Sequence, residues 1–185
     1  MKNILFIIAL ITVLSCKAQL PIISTVDWAN DDDDNIELIN GCYLKDVENK
    51  FAPFIGTWKW ESGNSILEIE FLKVEMVYDG EIYRDHLIGK YRYVDDNGIE
   101  KHNSLSVNIT PDNVSGYSFY LIRGSGYSRD NYKQFSISDL KKNIWCNLYI
   151  TLTTPTEAKW KVRRTDGNIP TGGFTFPTEL TLIKQ

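Results

Sequence analysis

From Phe51 to the end of the chain, apolar residues recur at every second position in run after run. In "SILEIEFLKVEM", Leu67, Ile69 and Phe71 share one side, and Glu68 and Glu70 the other. "DHLIGKYRYVDDNG" sets Leu87, Gly89, Tyr91 and Tyr93 against His86, Lys90 and Arg92. Leu105, Val107 and Ile109 alternate with Ser104, Ser106 and Asn108, and Tyr117, Phe119 and Leu121 follow in "GYSFYLIRG". The same pattern runs from Ile144 to Leu152 and through Ala158, Trp160 and Val162, and "ELTLIKQ" closes the chain. A period of two places neighbours on opposite faces of a strand, so each run has one buried and one wet face. Turn signals separate the runs: Asp79-Gly80, Asn97-Gly98, Gly124-Ser125-Gly126, Pro155, Asp166-Gly167 and Gly172-Gly173. "SISDLKKN" offers one helical turn at most. With "FIGTWKW" (residues 54–60) as the first run, about eight to nine strands fill residues 51–185. This predicts an all-β, antiparallel, eight-stranded barrel, or a sandwich. Eight strands close around an interior just wide enough for side chains or one small ligand.

The first run carries a second signal. Gly56-Thr57-Trp58 opens the strand series, and it resembles the G-x-W signature of the lipocalin and fatty-acid-binding (calycin) superfamily. The resemblance implies a lipocalin-like barrel whose tryptophan plugs the closed end against an arginine from a late strand. Carried onto this chain, Trp58 is the plug and Arg163 or Arg164 the cation, with Lys184 as the further choice. A cation over a tryptophan face is worth roughly 0.5–2 kcal/mol.

The blocks "GCYLKDVENKFAPFIGTWKWESGNSILEIEFLKVEM", "LIGKYRYVDDNGIEKHNSL" and "TGGFTFPTELTLIKQ" are similar to those of a family of small, uncharacterised lipoproteins from Bacteroidetes. That resemblance implies an exported protein of unknown function and carries no catalytic residues.

The N-terminus gives an address. "MKNILFIIALITVLSC" has one lysine and then an apolar run from Ile4 to Leu14. The run is too short to span a bilayer and suits a signal-peptide core. Ser15-Cys16 resembles a lipobox, so residues 1–15 are expected to be removed and Cys16 lipidated. A competing cut after Ala18 would give a plainly secreted protein. The expected location is the outer membrane, as a lipoprotein, or the periplasm and exterior, with membrane attachment through the lipid alone.

Residues 16–50 are acidic and weakly periodic, and read as a tether and irregular segment before the barrel domain at 51–185. Asp31 to Asp34 lack the turn glycine and distal acid of a calcium loop, so a solvated run is expected. The formal charge is −4, and −5 without the first fifteen residues and their one lysine. A nucleic-acid partner needs concentrated positive charge and is not expected.

Chemistry is sparse. His86 and His102 sit in no metal-ligand spacing and are expected on exposed strand positions. Glu68 and Glu70 face away from the apolar side, which argues against a glycosidase pair. Neither a G-x-S-x-G elbow nor a phosphate loop appears. Cys42 and Cys146 could pair in an oxidising compartment, or stay as two thiols, with Cys146 in register with a buried face. Aromatics remain. Trp60, Tyr91, Tyr93 and Phe119 are the candidate ligand-cavity residues if their face lines the interior. Trp145 and Tyr149 lie opposite the Ile144 face and form either a candidate exposed stacking patch, for a sugar ring for instance, or a surface covered by the N-terminal segment. The sequence thus points to an exported, lipid-anchored monomeric barrel that binds a small molecule or envelope protein without catalysis, cofactor or metal. The alternatives are a structural or interaction lipoprotein working through its outer surface, and an extracytoplasmic hydrolase.

Overall fold

The strand signals close into a ring. A computed structural model describes residues 20–185 apart from 33, 34, 118, 119, 126–130, 165 and 169. The signal segment, Cys16, Ala18, Asp33, Asp34 and Phe119 therefore lie outside the described residues. Eight strands form the ring: β3 (Gly56–Ser62), β4 (Ser65–Tyr78), β5 (Tyr83–Val94), β7 (Ile122–Ser125), β8 (Tyr132–Asp139), β9 (Ile144–Thr154), β10 (Glu157–Arg164) and β11 (Glu179–Lys184). Each pairs antiparallel with the next, β5 with β7 across an intervening excursion, and β11 returns to β3 through Ile183–Lys59 and Lys184–Trp58. The result is a closed, up-and-down, lipocalin-like barrel. Closure leaves none of the eight strands a bare edge along its whole length, which is how small all-β proteins avoid edge-to-edge association.

Period-two alternation sets what faces inward. Along β4 the residues at 65, 67, 69 and 71 are buried while those between are half-buried. Trp58 stands opposite Ile69, which stands opposite Tyr91 on β5, so one ring of inward residues crosses three strands. The barrel core gathers Phe51, Phe54, Trp58, Leu67, Ile69 and Phe71 with Tyr91, Phe135, Leu148 and Trp160, among others.

Two runs behave otherwise than the alternation predicts. Residues 104–109 are not a strand. Short β6 (Glu100–Asn103) pairs with the end of β5, and residues 104–117, 120 and 121 then run as turns and irregular chain over the barrel's outer wall. Ile109, Val114 and Leu121 cover Leu72, Val74, Val77 and Ile88 there, forming a second core outside the barrel. The free side of β5 is already used, by β6 at one end and by β7 over His86–Gly89, so no slot remains for another strand. The missing barrel strand is β8, "YKQFSISD", which continues to Asp139 where a helical turn was expected. Its inward positions are Lys133, Phe135 and Ile137, and the lysine hides the period. Gly124 likewise lies in β7 and not in a turn.

The acidic segment is better ordered than its composition suggests. β1 (Ile22–Ser24) and β2 (Tyr43–Lys45) pair in parallel, and β2 pairs in parallel with the start of β5. Ser24 caps the short helix α1 (Thr25–Ala29) by accepting from the Val26 and Asp27 amides. Cys42, Leu44 and Ile82 form a third buried cluster with Ile23 and Leu38 against it.

Candidate functional site

The lumen is the first place to look for a ligand, and side chains fill it. Trp58, Trp160, Phe71, Phe135, Leu67, Ile69 and Leu87 are all at most 2 % exposed. Of the cavity residues expected from sequence, Tyr91 and Tyr93 are buried in this core and Trp60 packs half-buried at its margin. They share the inward face and fill most of the interior.

Both ends of the barrel are stoppered. At one end, the turn at residues 51–54 brings in Phe51 and Phe54, and the Trp58 indole Nε1 donates to the Phe54 carbonyl at 2.7 Å. The cation over Trp58 is Lys184, with Nζ 5.2 Å from the ring centroid. Neither arginine expected there reaches it: Arg163 is exposed and Arg164 pairs with Asp166 at 2.5 Å. Both belong to β10, whereas the strand next to Trp58 is β11. A second cation, Lys133, is buried at this end, 4.3 Å from the Phe51 ring centroid. Burial pushes its ammonium down to about 8, against the opposing pull of Asp46.

The other end is covered by the connection between β10 and β11. Phe176 meets Trp160 edge-on at 6.4 Å and stacks with Phe174 at 6.2 Å. The Trp160 Nε1 donates to the Pro177 carbonyl at 2.9 Å, and the Thr175 amide donates to buried Asp139 at 2.7 Å. Between this cover and Tyr91, Tyr93 and His102 remains a cavity of about 50 Å³. That volume is on the scale of one or two waters, and small-molecule sites run to several hundred Å³.

A larger opening, about 570 Å³, is a surface cleft between β10 and the same connection, lined by Arg163, Arg164, Phe174 and Phe176 among others. Its bases are largely matched: Lys161 holds Glu179 at 2.6 Å and Arg164 holds Asp166.

Neither histidine is an exposed strand residue. His102 is half-buried, stacked on Tyr91 at 3.9 Å, with Nε2 3.1 Å from the Tyr120 carbonyl. His86 is 6 % exposed on the outer face of β5. Burial, reinforced by Arg123, Arg84 and Lys133 against Asp79, pushes its imidazole down to about 4. Trp145 and Tyr149 do lie on the outer wall: Trp145 is 40 % exposed, and Tyr149 stacks with Tyr132 at 6.1 Å. Glu70 also faces out and pairs with Lys90 at 2.7 Å.

The other buried polar centre is Asp85. It accepts from the Tyr43 hydroxyl at 2.5 Å and the Asp46 amide at 3.0 Å, and pairs with Lys73 at 3.2 Å. Sequence reading missed it because Asp85 lies within the strand's polar-looking start, "YRDH". Its partners fasten the N-terminal segment to the barrel. Cys42 and Cys146 are both buried, unpaired thiols in separate clusters, and burial pushes Cys146 up to about 11. Among the described residues, no three His, Cys, Asp or Glu side chains gather as a metal would need.

A family model described as "Family of unknown function (DUF6705)" matches residues 1–185. The chain belongs to this family. No curated protein and no solved structure matches it. For DUF6705, then, function has to be argued from this member's own geometry: a barrel stoppered at both ends, with its open clefts on the outside.

Proposed function

We propose that this DUF6705 protein is an exported, lipid-anchored barrel that binds without catalysis, through its outer wall and rim. The observation that carries the reading is the filled lumen, in which Trp58, Phe71, Phe135 and Trp160 occupy the space a lipocalin-type ligand would take. The apolar run Ile4–Leu14 before Cys16 supports export and the lipid. The anchor would leave the barrel free to turn its outer surface towards an envelope partner or a soluble ligand.

Two measurements test it. The neutral lumen probe N-phenyl-1-naphthylamine should show no saturable fluorescence gain with the native full-length protein. Saturable binding that Trp60→Ala or Tyr93→Ala abolishes would place the site back in the lumen. Intact mass of the detergent-extracted protein should show an acylated N-terminus at Cys16, and a free N-terminus at Gln19 would remove the anchor.

A further inference from the structure

Four outward side chains from four adjacent strands line a cleft of about 240 Å³: His86 on β5, Arg123 on β7, Ser136 on β8 and Trp145 on β9. Strand register brings them together. Arg123 stands opposite both Ile88 and Ser136, two residues from His86 on one side, and Ser138, two residues beyond Ser136, stands opposite Trp145. The four therefore form a diagonal across the wall, all on the face that strand alternation turns outward.

Two members of this set lack what the fold supplies elsewhere. Among the described residues, Arg84, Arg92 and Arg164 each hold a carboxylate, at 2.5, 2.6 and 2.5 Å, and Arg163 is exposed. Arg123 is half-buried, and no hydrogen bond or ion pair to its guanidinium exists among the described residues. Burial alone pulls its pKa below the usual arginine range, with no carboxylate opposing. Beside it, His86 Nδ1 is buried without a hydrogen-bond partner among the described residues. An unmet buried polar atom is costly, and a partly desolvated cation without a counter-charge costs more. Among the described residues, no carboxylate lines the cleft. The indole of Trp145, two-fifths exposed, supplies an apolar wall. With His86 neutral, Arg123 is the one charged side chain among the described residues that line the cleft, on a chain of net charge −4.

We infer that this cleft binds a sugar-sized ring bearing an oxyanion, with Arg123 taking the oxyanion, His86 and Ser136 hydrogen-bonding beside it and Trp145 lying against the ring. A planar guanidinium suits a carboxylate or a phosphate equally, and an aromatic wall with a few convergent polar groups is the usual make-up of a small-molecule site. The inference deepens the outer-wall reading above and shares its premise that the lumen is closed.

The test is a titration of the full-length protein, followed by tryptophan fluorescence and calorimetry, with glucuronate, glucose 6-phosphate, glucose and inorganic phosphate. Glucuronate, glucose 6-phosphate or both should bind at least tenfold more tightly than glucose or inorganic phosphate, and the stronger of the two names the oxyanion. Arg123→Ala should weaken that binding roughly tenfold or more, as loss of one charged hydrogen bond does. Trp145→Ala should abolish the preference over inorganic phosphate while leaving the Tm within a few degrees. If neither charged sugar binds the wild type, if glucose binds as well, or if folded Arg123→Ala binds unchanged, the cleft is not this site. Should Arg123→Ala fail to fold, Trp145→Ala and Arg123→Lys decide in its place. Failure here with no lumen binding of the neutral probe removes the cleft alone. Lumen binding of that probe removes the outer-wall reading itself.

Discussion

Lys184, the last residue but one, places its ammonium over the Trp58 ring, 5.2 Å from the centroid, and donates to the Pro53 carbonyl at 3.1 Å. The barrel's first and last strands are thus joined by a side-chain contact as well as by their ladder. Lys184→Met should lower unfolding free energy by about 0.5–1 kcal/mol, the scale of a partly exposed cation–π contact. Trp58→Ala should cost about 3–5 kcal/mol, since it empties a buried site. Urea unfolding measures both, and equal losses for the two variants would refute the division of roles.

Gly89 is where two core side chains need a missing Cβ. One built there would lie 2.8 Å from Phe71 Cε1 and 3.0 Å from Ile122 Cβ. Gly89→Ala should therefore destabilise by about 1–3 kcal/mol through overpacking. At Gly116 the nearest atom would be 3.4 Å away, so Gly116→Ala should stay within about 0.5 kcal/mol. Thermal unfolding of the two variants provides the comparison.

Asp85 holds the N-terminal segment to the wall through Tyr43 and the Asp46 amide, and it neutralises Lys73. Asp85→Ala leaves Lys73 paired with Glu75 alone, at 3.0 Å, and takes the acceptor from the buried Tyr43 hydroxyl and the Asp46 amide, and a buried polar group left unmet costs about 1–3 kcal/mol. Limited proteolysis should then cut within residues 20–50 well before the barrel strands. Uniform cleavage along the chain would mean that Asp85 supports the whole fold and not this junction.

His86 makes stability depend on pH. Its folded pKa, about 4, lies below the ordinary 6.5, so the unfolded chain takes up the proton first as pH falls. The contribution is whole above pH 6.5 and is lost as pH drops from 6.5 towards 4, amounting to at most on the order of 3 kcal/mol. Half-buried His102, also shifted down by burial, acts in the same direction. His86→Gln should flatten the stability curve across that window, and an unchanged slope would assign the dependence to His102.

Much of the architecture was legible in the residues. Leu67, Ile69 and Phe71 alternate because a half-buried strand needs them to, and they sit inward as alternation requires. Gly56-Thr57-Trp58 opens the first barrel strand, where a G-x-W block belongs. The strand count came out right although its membership did not. Leu105, Val107 and Ile109 have the pattern of a barrel strand but belong to a covering segment, while Lys133 masks the strand that completes the ring. Alternation reports that one side of a run is buried; it does not report against what.

The candidate site was far less legible. Trp145 could be placed on the outer face from its own strand's period. Its neighbours could not, because His86, Arg123 and Ser136 come from three other strands and meet it through register alone. Local sequence determined an all-β chain of about eight strands, the inward face of each, and the tryptophan at the barrel's opening, because these follow from period and steric fit along a single strand. Only the tertiary structure decided that the lumen is full, that Lys184 and not an arginine covers Trp58, and that Arg123 has no counter-charge among the described residues. Those are outcomes of which strands pair and how far each is staggered, and pairing joins residues too distant in the chain for local pattern to relate them.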